Sequence, residues 1–165
     1  VQEDAFALAL TTAPADRPLR SGPMRVVAGR AYLGAFLVPG TPPAAELRVP
    51  FGIDNRLKVK RTVLPQARST EGFIGKDRQM VFAYRTSVEN FRDVAVTVVV
   101  EERLPISQDE RISVKVGDKT SAGYITLEDR PGIINWKLTL APKEKKELTL
   151  EYTVRWPKEM QIPGL

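Results

Sequence analysis

The 165-residue sequence contains neither cysteine nor histidine. Without cysteine there are no disulfides and no thiolate chemistry. Without histidine, the usual general base near neutral pH and the commonest metal ligand are both missing. Zinc sites of the usual kinds and Ser-His or Cys-His nucleophile systems therefore cannot be built from this chain. We expect no metal, no cofactor and no catalytic residue.

Phosphate-binding and nucleophile motifs are missing as well. The eleven glycines form no G-x-G-x-x-G or G-x-x-x-x-G-K-[ST] motif, and neither G-x-S-x-G nor S-x-x-K occurs. No stretch approaches the roughly 18 consecutive apolar residues of a membrane-spanning helix. The opening "VQEDAFALAL" has no initiator Met and no basic region before its apolar run. Because it does not resemble a signal peptide, we expect a processed or truncated chain.

Almost every apolar segment alternates with polar residues, which is the pattern of β-strands. Such segments occupy residues 6–10, 57–63, 80–88, 112–116, 134–140 and 148–156. Thirteen prolines punctuate them and leave little room for long helices. The pattern predicts an all-β fold, with an immunoglobulin-like antiparallel β-sandwich over residues 53–165. An N-terminal β-meander over residues 1–52 is expected to pack on the sandwich or to join it.

Two of these segments lead to sharper predictions about burial. "VAVTVVV", residues 94–100, is almost continuously apolar and β-branched, which predicts a central strand covered on both faces. The regular hairpin of residues 136–156 is expected to contribute the core, with "APKEKK" as its solvated turn. The side chains expected to be buried together are Trp136, Leu138, Leu148, Leu150, Tyr152 and Val98.

Positive charge is concentrated in one part of the chain. Residues 56–85 hold eight basic residues against two acidic ones, an excess of six, whereas the whole chain carries +5. Such a stretch could attract acidic polysaccharide, an anionic membrane surface or nucleic acid. Nucleic acid is the weakest of these, because aromatic residues are only 7% of the chain and no stacking series accompanies the basic residues.

The acidic residues nearest to a catalytic pattern are Glu101, Glu102, Asp109 and Glu110. A glycosidase needs two carboxyl groups about 5–9.5 Å apart in a cleft, which a sequence cannot show. A solvated strand end and turn is the favoured interpretation, in which Asp109 caps the turn or pairs with Arg111.

The stretch "STEGFIGKDR", residues 69–78, is predicted to be a projecting hairpin tip that contacts a partner. Phe73 and Ile74 are large apolar residues where a free loop should carry polar ones. The basic residues near them, Arg61, Arg68, Lys76 and Arg78, complete the candidate interaction site. An apolar point ringed by cations suits a protein groove or an anionic membrane surface. The alternative is that both side chains fold back onto this domain or onto a missing N-terminal part.

Three segments, in order, resemble a known family. "VPFGIDNRLKVKR" at residues 49–61 is similar to its Pro-Phe-Gly-x-Asp-x-Arg-x-x-Val pattern. "YRTSVENFRDVAVTVVVEERLPISQDERISV" at residues 84–114 and "WKLTLAPKEKKELTLEYTVRWPKEMQIPGL" at residues 136–165 are similar to two later patterns. The family is the mucoidy inhibitor A-like proteins, whose C-terminal domain has no known function. The chain departs from the pattern at Lys143, where relatives often have Gly after the Pro.

The resemblance implies a longer parent protein, envelope or periplasmic association for bacterial members, and a link to exopolysaccharide. It supplies no catalytic residues. We therefore expect a non-catalytic interaction or structural module of a larger protein, which binds a protein partner or its own N-terminal region. One alternative is a module that binds acidic polysaccharide through the basic hairpin. The least favoured alternative is a carboxylate-dependent hydrolase. No nucleic-acid partner is expected.

Overall fold

A computed structural model of the protein describes residues 3–65, 72–74 and 77–161. These residues form twelve β-strands, pair in antiparallel fashion throughout and contain no α-helix, which confirms the all-β prediction. A helix with the length and apolar character needed to cross a membrane is not found in this part of the chain. The chain divides into two compact units, Val1–Asn55 (unit 1) and Arg56–Leu165 (unit 2). The predicted boundary after residue 52 lies near this division.

Unit 1 contains two separate two-stranded sheets. Its strands are β1 Phe6–Thr12, β2 Gly22–Ala28, β3 Ala31–Val38 and β4 Glu46–Ile53. β2 pairs with β3 and β1 pairs with β4, so the pairing is nested and not consecutive as in a meander. Leu19 and Thr41 exchange backbone hydrogen bonds of 2.9 and 3.0 Å. This bridge brings together the two ends of the β2–β3 segment, which allows β4 to return to β1.

Unit 2 contains a five-stranded and a three-stranded sheet. Its strands are β5 Leu57–Val63, β6 Gly72–Ile74, β7 Asp77–Asn90, β8 Val96–Arg103, β9 Ser113–Val116, β10 Tyr124–Thr126, β11 Ile133–Leu140 and β12 Lys145–Pro157. The larger sheet has the order β5-β7-β12-β9, with β6 also paired to β7. The smaller sheet has the order β10-β11-β8.

The two sheets of unit 2 pack around one core, as in a β-sandwich. β12 alternates strictly, and its inward residues from Leu148 to Trp156 are buried. The buried cluster is Val88, Val100, Ile134, Trp136, Leu140, Leu148, Leu150, Tyr152, Val154 and Trp156. Leu138 and Val98 are partly buried against it, so the predicted core is confirmed. The immunoglobulin-like subclass stays a prediction.

The segment 94–100 does not form a central strand. β8 begins at Val96 and lies at the edge of its sheet, with β11 as its neighbour among the described residues. Val94 and Val99 are 59% and 53% exposed. The prediction of a strand covered on both faces is therefore wrong. A β-branched composition favours a strand at an edge as well as at the centre of a sheet, and the run of valines could not distinguish the two.

Asn90, at the end of β7, ties two loops together from a fully buried position. Its Nδ2 donates to the carbonyl oxygens of Val94 and Ala141, at 2.9 Å each. Its Oδ1 accepts from the backbone N–H of Arg92 at 2.9 Å. The side chain thus satisfies backbone groups that the strands leave without partners at this end of the sandwich.

The turn between β11 and β12 has a backbone conformation that favours glycine. Lys143 has φ 61°, in the left-handed region where a side chain is disfavoured. Its Nζ donates to the Phe91 carbonyl at 2.8 Å and lies 3.0 Å from Asp93 Oδ1. Glycine adopts this conformation without the cost of a side chain, and Lys143 adopts it nevertheless.

Candidate interaction site

The basic stretch 56–85 is divided between the interior and the surface of unit 2. Arg61 follows Val59 on the inward phase of β5, so its side chain is only 15% exposed. Lys58 and Lys60 occupy the opposite phase and are exposed. The stretch is therefore not one continuous cationic surface, as the concentration of charge suggested.

Arg61 forms an ion pair with Glu102 that joins the two sheets. The Arg61 Nε–H donates to both carboxylate oxygens of Glu102 at 3.2 Å. Thr86 Oγ1 donates to Glu102 Oε1 at 2.7 Å, and the Glu102 side chain is 9% exposed. Because Arg61 and Thr86 belong to the five-stranded sheet and Glu102 to the three-stranded one, these bonds link the sheets at their β5 and β8 edges.

Two tyrosines complete this arrangement. The Arg61 guanidinium carbon lies 3.6 Å from the centre of the Tyr84 ring, and the Tyr84 and Tyr152 rings stack with centroids 6.1 Å apart. Burial and a hydrogen bond with Tyr84 raise the pKa of Tyr152 above its ordinary value, although the Arg61 charge opposes the rise. We name Arg61, Tyr84, Thr86, Glu102 and Tyr152 the inter-sheet cluster.

The inter-sheet cluster escaped the sequence analysis, although a signal for it was present. Arg61 lies in phase with Val59, Glu102 lies in phase with Val100, and Thr86 lies in phase with Val88. Each is a polar residue on an otherwise inward-facing series. Buried charges require partners. A charged residue on the inward phase of one strand therefore predicts a charged or hydrogen-bonding partner on the inward phase of another strand. The charge count treated Arg61 as a surface cation and overlooked its phase.

The exposed basic residues of this sheet are interleaved with carboxylates. Lys60, Arg85 and Lys145 line a shallow open depression on its outer surface, together with Glu147. Lys145 Nζ and Arg85 Nε lie 2.9 and 3.6 Å from the two oxygens of Glu147. The pKa of Glu147 is lowered, chiefly by its hydrogen bond with Lys145. Glu147 therefore offsets one of the three positive charges at this depression.

Part of the predicted hairpin of residues 69–78 lies among the described residues, namely 72–74 and 77–78. β6 pairs with the first residues of β7, with Phe73 opposite Arg78. Arg68, Lys76 and the side chains of Phe73 and Ile74 lie outside the described residues. The prediction that this tip contacts a partner therefore stays a prediction.

Strands β6 and β7 are both part of the five-stranded sheet, and they do not form an isolated two-stranded pair. β7 pairs with β12 as far as Asp77 opposite Pro157, so both edges of its first residues have neighbours. Arg78 is half-buried there, and its Nε has no hydrogen-bond partner among the described residues.

The four acidic residues of the hydrolase alternative point in different directions. Glu102 faces the core, whereas Glu101, on the opposite phase of β8, pairs with Arg130 at 2.7 Å. Asp109 accepts hydrogen bonds from the side chain and backbone of Arg111, which lower its pKa to about 2. Glu110 is exposed. Among the described residues, no group of three or more acidic side chains could hold a metal ion.

Unit 1 exposes more large apolar side chains than it buries. The exposed ones are Phe6, Leu8, Leu10, Val27, Tyr32, Leu33, Leu37 and Ile53. Its buried apolar residues, among those described, are Ala13, Val26, Val38 and Leu47. Four buried apolar side chains, one of them an alanine, make a small core for a unit of this length, since short domains need a high density of buried apolar surface to be stable.

Comparison with known proteins places the chain in a family. The profile described as "Domain of unknown function (DUF4139)" matches residues 4–158, almost the whole chain. Among curated proteins, the chain is similar to "Protein F37C4.5" of Caenorhabditis elegans, with 24% identity over 170 residues. The match covers 96% of this chain but only 30% of the worm protein. No solved structure gives a significant match.

Proposed function

Since the chain belongs to the DUF4139 family of domains of unknown function, we propose that it is a non-catalytic interaction and structural module of a longer protein. The observation that carries the proposal is the exposure of eight large apolar side chains in unit 1, whereas only three of comparable size, Val26, Val38 and Leu47, are buried among its described residues. Four of the exposed ones, Phe6, Leu8, Leu10 and Ile53, lie on the paired strands β1 and β4. Exposed apolar patches of this kind are typical of protein interaction sites. The partner is a protein or another region of the same polypeptide.

The contacts of the acidic residues support the non-catalytic part of the proposal. Glu101, Glu102 and Asp109 each have a cationic partner, and strand alternation turns Glu101 and Glu102 to opposite faces. A hydrolase of the kind considered above needs two carboxyl groups that converge on one cleft.

The acidic-polysaccharide alternative has less support from the geometry. Arg61 is engaged inside the sandwich, and Glu147 lies between Arg85 and Lys145 on the outer surface. Contact through Phe73 and Ile74, with a protein or an anionic membrane surface, stays part of the proposal. The resemblance to mucoidy inhibitor A-like proteins is the basis for proposing an envelope-associated or periplasmic parent protein.

The proposal is tested by co-purification of the longer parent protein from its native source, with and without residues 1–165. We expect specific partners to be lost with the deletion. A matched variant with Glu101→Gln and Glu110→Gln should retain these partners, because neither carboxylate is expected to have a catalytic or binding role. Identical partners with and without the domain would contradict an interaction role. Partner recovery that depends on the two carboxylates would contradict the passive role assigned to Glu101 and Glu110.

A further inference from the structure

β1 presents its large apolar residues to solvent and its small ones inward. Phe6, Leu8 and Leu10 are 52%, 58% and 65% exposed, whereas Ala7 and Ala9 between them are half-buried. In a strand that is stable by itself, the larger side chains face the core, because burial of apolar area stabilises the fold. The alternation of β1 is therefore matched to a contact on its outer side.

β4 extends this surface. Leu8 pairs with Pro50 and Phe6 pairs with Ile53, with a register shift between the two pairs. Directly paired residues of an antiparallel sheet point to the same face, and the shift allows Pro50 and Ile53, three residues apart, both to be exposed. Ile53 is itself 53% exposed. We name Phe6, Leu8, Leu10, Pro50 and Ile53 the β1–β4 apolar face. It is two strands wide and about 14 Å long, at roughly 3.4 Å per residue.

We propose that the β1–β4 apolar face is covered by an apolar segment of the same longer polypeptide. The inference rests on the proposed function, in which the domain is a module of a longer protein. The relative from Caenorhabditis elegans matches 96% of this chain, over only 30% of its own length. Such a protein has ample chain to provide the segment. A segment tethered in the same polypeptide binds at an effective concentration of about millimolar. Permanent protein contacts are also more apolar than transient ones, as this face is.

The charges around the face disfavour other occupants. One charged neighbour is Arg48, which is opposite Leu10 and is paired with Glu46 at 3.0 Å, and the acidic residues Asp4 and Asp54 lie close in sequence to Phe6 and Ile53. A surface that binds an anionic membrane or a polyanion carries a surplus of basic residues around its contact area. The β1–β4 apolar face instead has the composition of a permanent protein contact.

The absence of cysteine from the chain allows a direct test by single-cysteine labelling. Leu8→Cys and Ile53→Cys probe the face. Val99→Cys is the control, because Val99 is equally exposed at 53% but lies on β8 of unit 2. Each is placed in the 165-residue chain and in the full-length parent protein, and maleimide labelling is followed site by site by peptide mass spectrometry.

We expect Leu8→Cys and Ile53→Cys to label as fast as Val99→Cys in the 165-residue chain. In the parent protein both should slow by about tenfold or more, because labelling then requires local opening, whereas Val99→Cys should not change. Equal labelling in both proteins overturns the proposal. Protection in the 165-residue chain that grows with concentration also overturns it, since the cover is then a second copy.

The same experiment separates this inference from the proposed function. If labelling is equal in both proteins but partners are lost when residues 1–165 are deleted, the proposed interaction module is supported and the tethered cover is refuted. If labelling is slower in the parent protein but the recovered partners do not change on deletion, the cover is supported. The interaction of the module is then a contact within its own polypeptide. Circular dichroism of each variant confirms that its strands are intact, so that fast labelling of both probes reports on exposure.

Discussion

Arg61 and Glu102 lie on different sheets of the sandwich, and the Arg61 Nε–H donates to both carboxylate oxygens of Glu102 at 3.2 Å. The two side chains are 15% and 9% exposed, so neither charge is well solvated. Thr86 donates a hydrogen bond to Glu102, and the Arg61 guanidinium lies over the Tyr84 ring. A basic residue that was expected at the surface thus joins the two layers of unit 2.

Arg61→Met should destabilise the protein by about 3–5 kcal/mol, because it leaves the Glu102 carboxylate buried without its counterion. Adding Glu102→Gln should recover part of the loss, since the amide keeps an acceptor for Thr86 and carries no charge. Urea unfolding followed by tryptophan fluorescence measures both. The matched control is Arg130→Met, which breaks the exposed pair with Glu101 and should change stability little. If Arg61→Met and Arg130→Met have the same small effect, the inter-sheet cluster does not join the sheets.

Leu150→Ala should cost about 2–5 kcal/mol, because Leu150 is 2% exposed in the common core. Ile125→Ala is the control for the loss of an apolar side chain that is already 58% exposed. Thermal unfolding of the two variants should separate them clearly. An unchanged midpoint for Leu150→Ala would show that the core has been assigned wrongly.

Lys143→Gly should stabilise the protein by about 1 kcal/mol, because glycine adopts the left-handed conformation at φ 61° without the cost of a side chain. The contacts of Lys143 Nζ with Phe91 and Asp93 are lost in this variant. Lys143→Ala loses the same contacts and keeps the backbone cost. The difference between the two unfolding midpoints therefore isolates the backbone term. A lower midpoint for Lys143→Gly than for Lys143→Ala would contradict the account.

Asp109 should titrate near pH 2, below its ordinary value of 3.8, because Arg111 hydrogen-bonds its charged form. Its folded pKa is lowered, so its contribution to stability is present above pH 3.8 and is lost as the pH falls through about 2. In Arg111→Gln the pKa should rise toward 3.8, though not fully, because the backbone N–H of residue 111 still donates. Carboxyl ¹³C NMR measures this, with Arg130→Gln as the control. The same Asp109 pKa in all three proteins would refute the assignment.

The sequence predicted those features that depend on local alternation and on turn residues. The strand phase of β12 identified Leu148 and Leu150 as core, and prolines marked the breaks between strands. The position of a strand within its sheet depends on pairing with distant residues. Edge position and exposure of Val99 were therefore not readable from the composition of β8.

The candidate site was predicted less well, for a related reason. Charge was counted along the chain, but strand alternation sends Arg61 inward and Lys60 outward. The β1–β4 apolar face could not be predicted from alternation either. Alternation identifies β1 as a strand, but it does not say whether the apolar phase meets this domain's core or an outside partner.

Hydrogen exchange of backbone amides tests the central claim most directly, by comparing the 165-residue chain with the longer parent protein. The account predicts that β1 and β4 exchange much faster than β7 and β12 in the 165-residue chain, because unit 1 has a small core. In the parent protein β1 and β4 should become slow, while β7 and β12 stay unchanged. Exchange of β1 and β4 at the same rate in both proteins, and as slow as that of β12, would contradict a module whose N-terminal unit depends on a partner.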